Sequence, residues 1–305
     1  VKKKIEGFSM RRQAWLSSLF ACMFAFAAVL PASAAGNYNI VESGTKVEME
    51  GKFSFTVPEN MIFLNKDDTI KMEQEHGDIP TMNEIGSVHP IEDNQNWALF
   101  IEYEDTGHIS DDEQNEIDAE ALLQSYKDGT EEGNKQRKPE EQFHVIGWNV
   151  KPSYNAATHE LEYSMLAETA QKDQFLNYKL QVLTRTGHVS FILVTDVPSL
   201  VQDKQTLRDK ILKNFVVKEG HRYTDFNAET DKVAEFGLTG LILGGLGVAA
   251  AKKLGLLALI LAFAKKGWIL IVVALGALGG LVKKLLNKKK NGQPPADSDE
   301  EKPSA

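Results

Sequence analysis

The chain has 305 residues, a net charge of −9, 42% hydrophobic side chains and a single cysteine. The charge is unevenly spread: of 34 Lys/Arg and 43 Asp/Glu, 19 and 38 fall within residues 35–236, a net of −19 there. A stretch this acidic is excluded as a nucleic-acid binder, because neutralising phosphates takes the opposite sign, and it stands off anionic lipid headgroups. The cysteine, Cys22, lies in an N-terminal apolar segment, so the remainder has neither disulfide nor thiol chemistry.

Arg11-Arg12 precede an apolar core from Ala14 to Leu30, then Pro31 and Ala32-Ser33-Ala34. A positive lead, a hydrophobic core and an A-x-A site read as a secretory signal over 1–34, cleaved after Ala34 or Ala35. An uncleaved first span and a lipid on Cys22 are the alternatives. Residues 35–219, about 200 residues with their flank, suffice for one well-buried α+β domain.

Within it, Lys46 to Thr56 alternates in hydrophobicity around Glu50-Gly51 and predicts a hairpin. Met61 to Leu64 is a short apolar run, and Asp67 caps a brief helix ending before Gly77. Thr81 to Asn96, with Gly86 and Pro90, reads as loop. Trp97 to Tyr103 (WALFIEY) predicts a strand with both faces buried. Ser110-Asp111-Asp112 signals a helix N-terminus, and Ile117, Ala121, Leu122 and Tyr126 carry the helix to about Lys127, with Gly129 and Gly133 weakening its continuation. Strands follow at Phe143–Val150 and Leu161–Ala167, joined by a loop over 152–159 rich in turn formers. Phe175–Arg185 and Val189–Thr195 form the clearest hairpin. Ser199 then caps a helix through Ile211 and Leu212, and Phe215–Val217 offers a last strand. The expectation is an α+β fold: an antiparallel sheet with two main helices packed on it, followed by C-terminal transmembrane helical segments. Its hairpin–helix–strand ending is similar to small extracytoplasmic domains of the PsbP/Mog1-like kind, a likeness of fold that carries no function.

Three segments carry a further likeness: DGTEEGNKQR (Asp128–Arg137), VIGWNVKPSYNAATHELEY (Val145–Tyr163) and GHRYTDFNAETDKVAEFG (Gly220–Gly237), followed by an apolar, lysine-punctuated end. In this order they resemble the bacterial membrane-anchored domain-of-unknown-function family 2167 (DUF2167), over roughly Met61 to Lys290. The resemblance implies a signal peptide, an exported domain and a C-terminal membrane anchor, and brings neither a reaction nor a ligand.

Candidate sites are few. Glu131, Asn134, Lys135 and Arg137 form a polar pocket wall or a solvated helix face. Trp148, Tyr154 and His159 surround one strand–loop–strand unit, and His159 is a candidate ligand or general base with Glu160 or Glu162. Asp105, Asp111, Asp112, Glu113 and Glu116 form the densest acidic cluster, with Asp112 the second catalytic candidate, but lack the order of a calcium loop. The seven histidines show no metal-ligand spacing, and no nucleophile elbow or phosphate loop is present. No cofactor and no metal is expected. Residues 220–236 read as a linker docked on the domain through Tyr223 and Phe226, with Arg222 paired to Asp225.

Residues 237–286 are almost continuously apolar, broken by Lys252-Lys253 and Lys265-Lys266 and closed by Lys283-Lys284 and Lys288–Lys290. They read as a membrane anchor, and the lipid bilayer is therefore the expected partner. Gly267–Val282 with Trp268 at an interface makes one crossing; 237–257 with 262–282 makes a helical hairpin. The five lysines after Val282 favour a cytoplasmic end and one crossing. Gly237 opens the segment, and Gly240-x-x-x-Gly244 and Gly276-x-x-x-Gly280 permit close helix contact, so a membrane-protein partner or self-association is expected there. Residues 287–305 turn from basic to acidic and read as a disordered tail. The functional expectation is a protein of a bacterial cell membrane with an extracytoplasmic domain acting by binding or assembly. A tethered hydrolase and an accessory subunit of a transporter or channel are the alternatives.

Overall fold

The computed structural model describes residues 38–244, apart from 77, 79, 93 and 136. The signal segment 1–34, the apolar stretch beyond 244 with Trp268, Gly276 and Gly280, and the tail lie outside the described residues. Among the described residues no helix is long and apolar enough to cross a membrane.

Among the described residues ten strands and four α-helices follow in order: β1 (Lys46–Met49), β2 (Phe53–Thr56), β3 (Met61–Asn65), α1 (Lys66–Glu75), β4 (Glu84–Pro90), β5 (Ala98–Glu104), α2 (Ala119–Asn134), β6 (Phe143–Asn155), β7 (Glu160–Thr169), β8 (Gln174–Thr184), β9 (Gly187–Thr195), α3 (Leu200–Thr206), β10 (Phe215–Val217) and α4 (Leu238–Ile242). All pairing among these strands is antiparallel. Seven strands form one sheet in the order β3-β4-β5-β9-β8-β7-β6, and β1-β2-β10 form a second.

The large sheet is the middle of three layers. On one face Phe63, Leu99, Phe191 and Tyr178 meet Phe53 and Phe55 of the small sheet and Leu207 and Ile211 beyond α3. Residues one position along each strand point the other way. There Leu64, Phe100, Ile192 and Val194 meet Met72 of α1, and Leu161, Tyr163 and Leu183 meet Leu122 and Tyr126 of α2 and Leu241 of α4. This double burial explains why WALFIEY and VSFILVT are apolar at most positions on both faces.

Several elements differ from the sequence expectation. The stretch taken as loop over 81–96 contains β4, whose Ser87 and Val88 pair with Phe100 and Leu99. Helix α2 starts at Ala119, not near Asp112, because Asp118 caps it by accepting from the Glu120 and Ala121 amides. It runs through Gly129 and Gly133, because Leu122, Tyr126, Thr130 and Asn134 all turn one buried side to the sheet. Helix α1 is capped by Asn65, whose side chain accepts from the Asp68 amide, and not by Asp67. Strand β6 continues through Lys151-Pro152-Ser153-Tyr154-Asn155 across three register shifts.

The first residues of the apolar stretch belong to this domain. Leu238, Leu241 and Ile242 are buried. The Thr239 amide donates to Glu113 Oε1 at 2.7 Å, and the Tyr126 and Tyr163 hydroxyls both donate to the Ile242 carbonyl. A Cβ on Gly237 would sit 2.4 Å from Glu113 Oε1, and one on Gly240 2.5 Å from Phe236 Cβ. These glycines, with Gly244 in the turn that ends the segment, serve packing inside the fold, so the domain extends past the boundary expected at 237.

Candidate functional site

Tyr154 is the penultimate residue of the long strand β6 and His159 ends the four-residue turn into β7, held at φ 54° with its carbonyl accepting from Leu183 N. That geometry aims both side chains at the loop before α2. The Tyr154 hydroxyl donates to Asp111 Oδ2 at 2.8 Å, and His159 Nδ1 lies 3.1 Å from the same oxygen of Tyr154. Because the hydroxyl has one hydrogen and Asp111 takes it, His159 Nδ1 is the donor in the second bond. Burial first, then Asp111, push the Tyr154 phenol far above its ordinary range, so it stays neutral and relays orientation, not charge.

The His159 ring opens a column of four. Tyr223 lies 4.2 Å from it, His108 lies 4.3 Å from Tyr223, and Phe226 stacks on His108 at 3.8 Å. The Tyr223 hydroxyl donates to the Ile109 carbonyl at 2.9 Å. Burial lowers the His108 pKa against a hydrogen bond to the Arg185 backbone, so it enters the stack as neutral imidazole. Residues 220–236 are thereby fastened to the domain. Arg185 adds a bidentate pair to Asp231 at 2.7 and 2.9 Å and donates to the Gly220 carbonyl at 3.1 Å. The His108 amide donates to the Lys232 carbonyl, and the Ala234 amide to the His108 carbonyl, at 2.8 Å each. Gly107 permits this approach: its φ is 98°, and a Cβ would meet Lys232 O at 2.8 Å. Arg222 meets Asp225 through its backbone amide, at 2.9 Å.

The remaining sequence candidates are scattered. Asp112 accepts from the Ser110 hydroxyl, and Asp111 takes the place facing His159. Glu160 and Glu162 turn to the opposite face, where Arg208 pairs with both and Lys204 with Glu162. Trp148 donates from Nε1 to the Ala119 carbonyl at 2.7 Å and sets its edge against Tyr126 and Tyr163, pinning the start of α2. Glu131, Asn134 and Arg137 sit at the other end of that helix, about 20 Å away at 1.5 Å per residue. Glu131 meets His144 Nδ1 at 2.7 Å, Asn134 exchanges hydrogen bonds with the Phe143 backbone, and Arg137 lies 4.7 Å over the Phe143 ring. These three join helix to strand and do not share a pocket wall with Trp148 and Tyr154. Asp105 is paired with Lys52 and Glu113 with Thr239 N, so the acidic cluster is divided among separate tasks. Among the described residues no group of three His, Cys, Asp or Glu is placed to hold a metal.

A second polar group escaped the sequence reading. Glu84, Glu102, Gln181 and His188 are buried on the α1/α2 face of the sheet. The available signal was the alternation in Phe100-Ile101-Glu102-Tyr103-Glu104 and His188-Val189-Ser190-Phe191, which puts polar side chains on one side of two adjoining strands.

The family described as "Protein of unknown function (DUF2167)" matches residues 41–276. No curated protein matches. Among solved structures the chain is similar to that of cyanobacterial PsbP (CyanoP) from Synechocystis sp. PCC 6803, at 14% identity and a TM-score of 0.34, over 58% of this chain and 94% of that one. With more than half of its length matched, the chain belongs to the DUF2167 family.

Proposed function

We propose that this DUF2167 protein is an extracytoplasmic binding or assembly module held at a bacterial membrane by the apolar stretch that follows Gly244. The observation that supports this reading most is the captured segment that leads into that stretch. Leu238, Leu241 and Ile242 fill the space between α2 and the sheet, and two tyrosine hydroxyls hold the Ile242 carbonyl. The 220–236 segment with its ring column is likewise docked on the domain. Lysines flanking the apolar stretch suit headgroup contact, and the acidic domain stands off the surface.

Carbonate extraction and fractionation of cells making the full chain test this. The reading expects the chain, shortened by its leader, in the membrane pellet with the domain open to protease from the envelope side. A chain ending at Gly244 is expected in the soluble envelope fraction. Recovery of the full chain from cytosol with residues 1–34 still attached would overturn the reading.

A further inference from the structure

The face of the large sheet under α1 and α2 is apolar at both ends and polar in its middle. Pairing sets Glu84 opposite Glu102, Glu102 opposite Ser190, and Ser190 opposite Gln181, one transverse row over four strands. Directly paired residues share a face, so these side chains line up. Glu104 opposite His188 forms the adjoining row, with His188 Nε2 3.7 Å from Glu104 Oε1. Thr81 binds the row at its edge. Its amide and hydroxyl donate to Glu84 Oε1 at 2.6 and 2.8 Å, and its hydroxyl lies 3.1 Å from Glu102 Oε1. Helix α1 packs on β4, and Glu84 and Glu102 are among the charges that raise the carboxyl of its Glu73.

The row is deeply enclosed: Glu84 is 0% exposed, Gln181 and His188 2% each. Yet Glu73 Oε2, Glu84 Oε2, Gln181 Oε1 and His188 Nδ1 have no hydrogen-bond partner among the described residues. Gln181 Oε1 can only accept, and the two carboxylate oxygens do so whenever their groups are ionised. Each unmade bond at a buried polar atom leaves its full desolvation penalty standing, and a marginally stable fold does not carry several along one row without return. Lys179 brings positive charge to Glu102 and Glu104. The charged neighbours that act on Glu73 are Glu84, Glu102 and Asp78, all acidic. What complements this arrangement is a positive group that donates hydrogen bonds.

We propose that the Glu73–Glu84–Glu102 end of this row, with Gln181 and His188 behind it, binds a small organic cation bearing N–H donors, a primary ammonium or a guanidinium. A metal ion suits the site less, since the described residues place no three ligands around one point. Entry is from the side of Glu73, Asp78 and Thr81, which are half-buried where α1 ends. Burial, then Glu84, Glu102 and Asp78, push Glu73 up to about 8, so a bound cation competes with a proton there. The inference is independent of where the chain is held.

Isothermal titration calorimetry of the purified full chain at pH 7 tests it, with butylammonium, agmatine, tetramethylammonium and calcium chlorides as probes. Butylammonium or agmatine is expected to bind, with proton release, and tetramethylammonium, which has no N–H, is not. Glu84→Gln and Glu73→Gln are each expected to weaken binding at least tenfold. No binding by either N–H cation at millimolar concentration, or equal binding by tetramethylammonium, overturns the proposal. So does calcium binding that Glu84→Gln abolishes while the ammonium probes give nothing. Should Glu84→Gln fail to fold, the half-buried Glu73→Gln carries the same comparison, and a Glu73→Gln protein with unaltered cation affinity overturns it as well.

Discussion

Leu241→Ala asks whether the start of the apolar stretch is truly part of the fold. Leu241 is 1% exposed and packs with Tyr126, Tyr163 and Leu183. Removing three carbons at about 0.8 kcal/mol each, plus a cavity term, costs about 3 kcal/mol. The segment is short, however, and detachment limits what the mutation can cost. Burial of Leu238, Leu241 and Ile242 contributes roughly 4.5–9 kcal/mol, against roughly 5–10 kcal/mol for ordering the five residues of α4, and the two nearly cancel. Hydrogen bonds from Tyr126, Tyr163 and the Thr239 amide tip the balance toward docking. The expected result is therefore local: α4 peels away while the sheet stays folded. Hydrogen exchange measured by mass spectrometry on the full chain in detergent should show the 236–244 peptide exchanging faster by up to about 100-fold, the docking free energy capping the 3 kcal/mol loss, with β8 and β9 unchanged. Trp148, edge-on to both tyrosines, should shift its fluorescence in step. Exchange in 236–244 no faster than in the unmutated chain would refute the reasoning.

Gly187→Ala is expected to cost at least about 3 kcal/mol in a urea titration, because a Cβ would stand 1.8 Å from the Glu104 carbonyl oxygen. Gly147→Ala, with open space at its Cβ, is the control and should shift stability by less than about 1 kcal/mol. Burial pushes the Glu162 carboxyl up, but hydrogen bonds from Tyr178, Arg208 and Lys204 outweigh it and hold it at about 2. A depressed folded-state pKa gives stability that is present above 4.5 and lost as pH falls towards 2. Acid titration of Arg208→Gln should accordingly show a flatter stability profile over that window than the unmutated chain. An identical profile would mean that Arg208 does not hold this carboxylate. Asp231→Asn removes the acceptor pair that grips Arg185 and should speed tryptic cleavage within 220–236, leaving cleavage elsewhere unaltered. Unchanged cleavage there would count against the clasp.

What the sequence disclosed followed from local regularity. The β8–β9 hairpin, the β1–β2 hairpin and the WALFIEY strand each show a pattern that one strand imposes by itself. Strand β4 does not. Glu84, Gly86, His89 and Pro90 look like loop residues until β3 and β5 close around them, and Gly86 is required there because a Cβ would lie 2.2 Å from the Phe63 ring. Helix α2 was placed too early because Ser110-Asp111-Asp112 carries a stronger cap signal than Asp118. Trp148 of β6 reaches the Ala119 carbonyl beside the Asp118 cap, a contact no local pattern contains.

The candidate site repeats this division between local and distant information. Tyr154 and His159 were recognised together because they bracket one turn, and the structure joins them at 3.1 Å. Their acid was sought at Glu160 and Glu162, the nearest in sequence. In a strand, residues two apart share a face, so Glu160 and Glu162 follow each other to the Arg208 side while Leu161 and Tyr163 go into the α2 core. The carboxylate that reaches Tyr154 had to come from elsewhere, and Asp111 arrives 43 residues earlier in the chain. Glu84 and Glu102 follow the same logic in reverse. Each is an ordinary acidic residue in its own segment, and only the pairing of β4 with β5 makes them face each other in the interior. Chemistry that depends on two strands meeting is therefore the part of this protein that its linear pattern hides, and the buried carboxylate row is where that hidden part is densest.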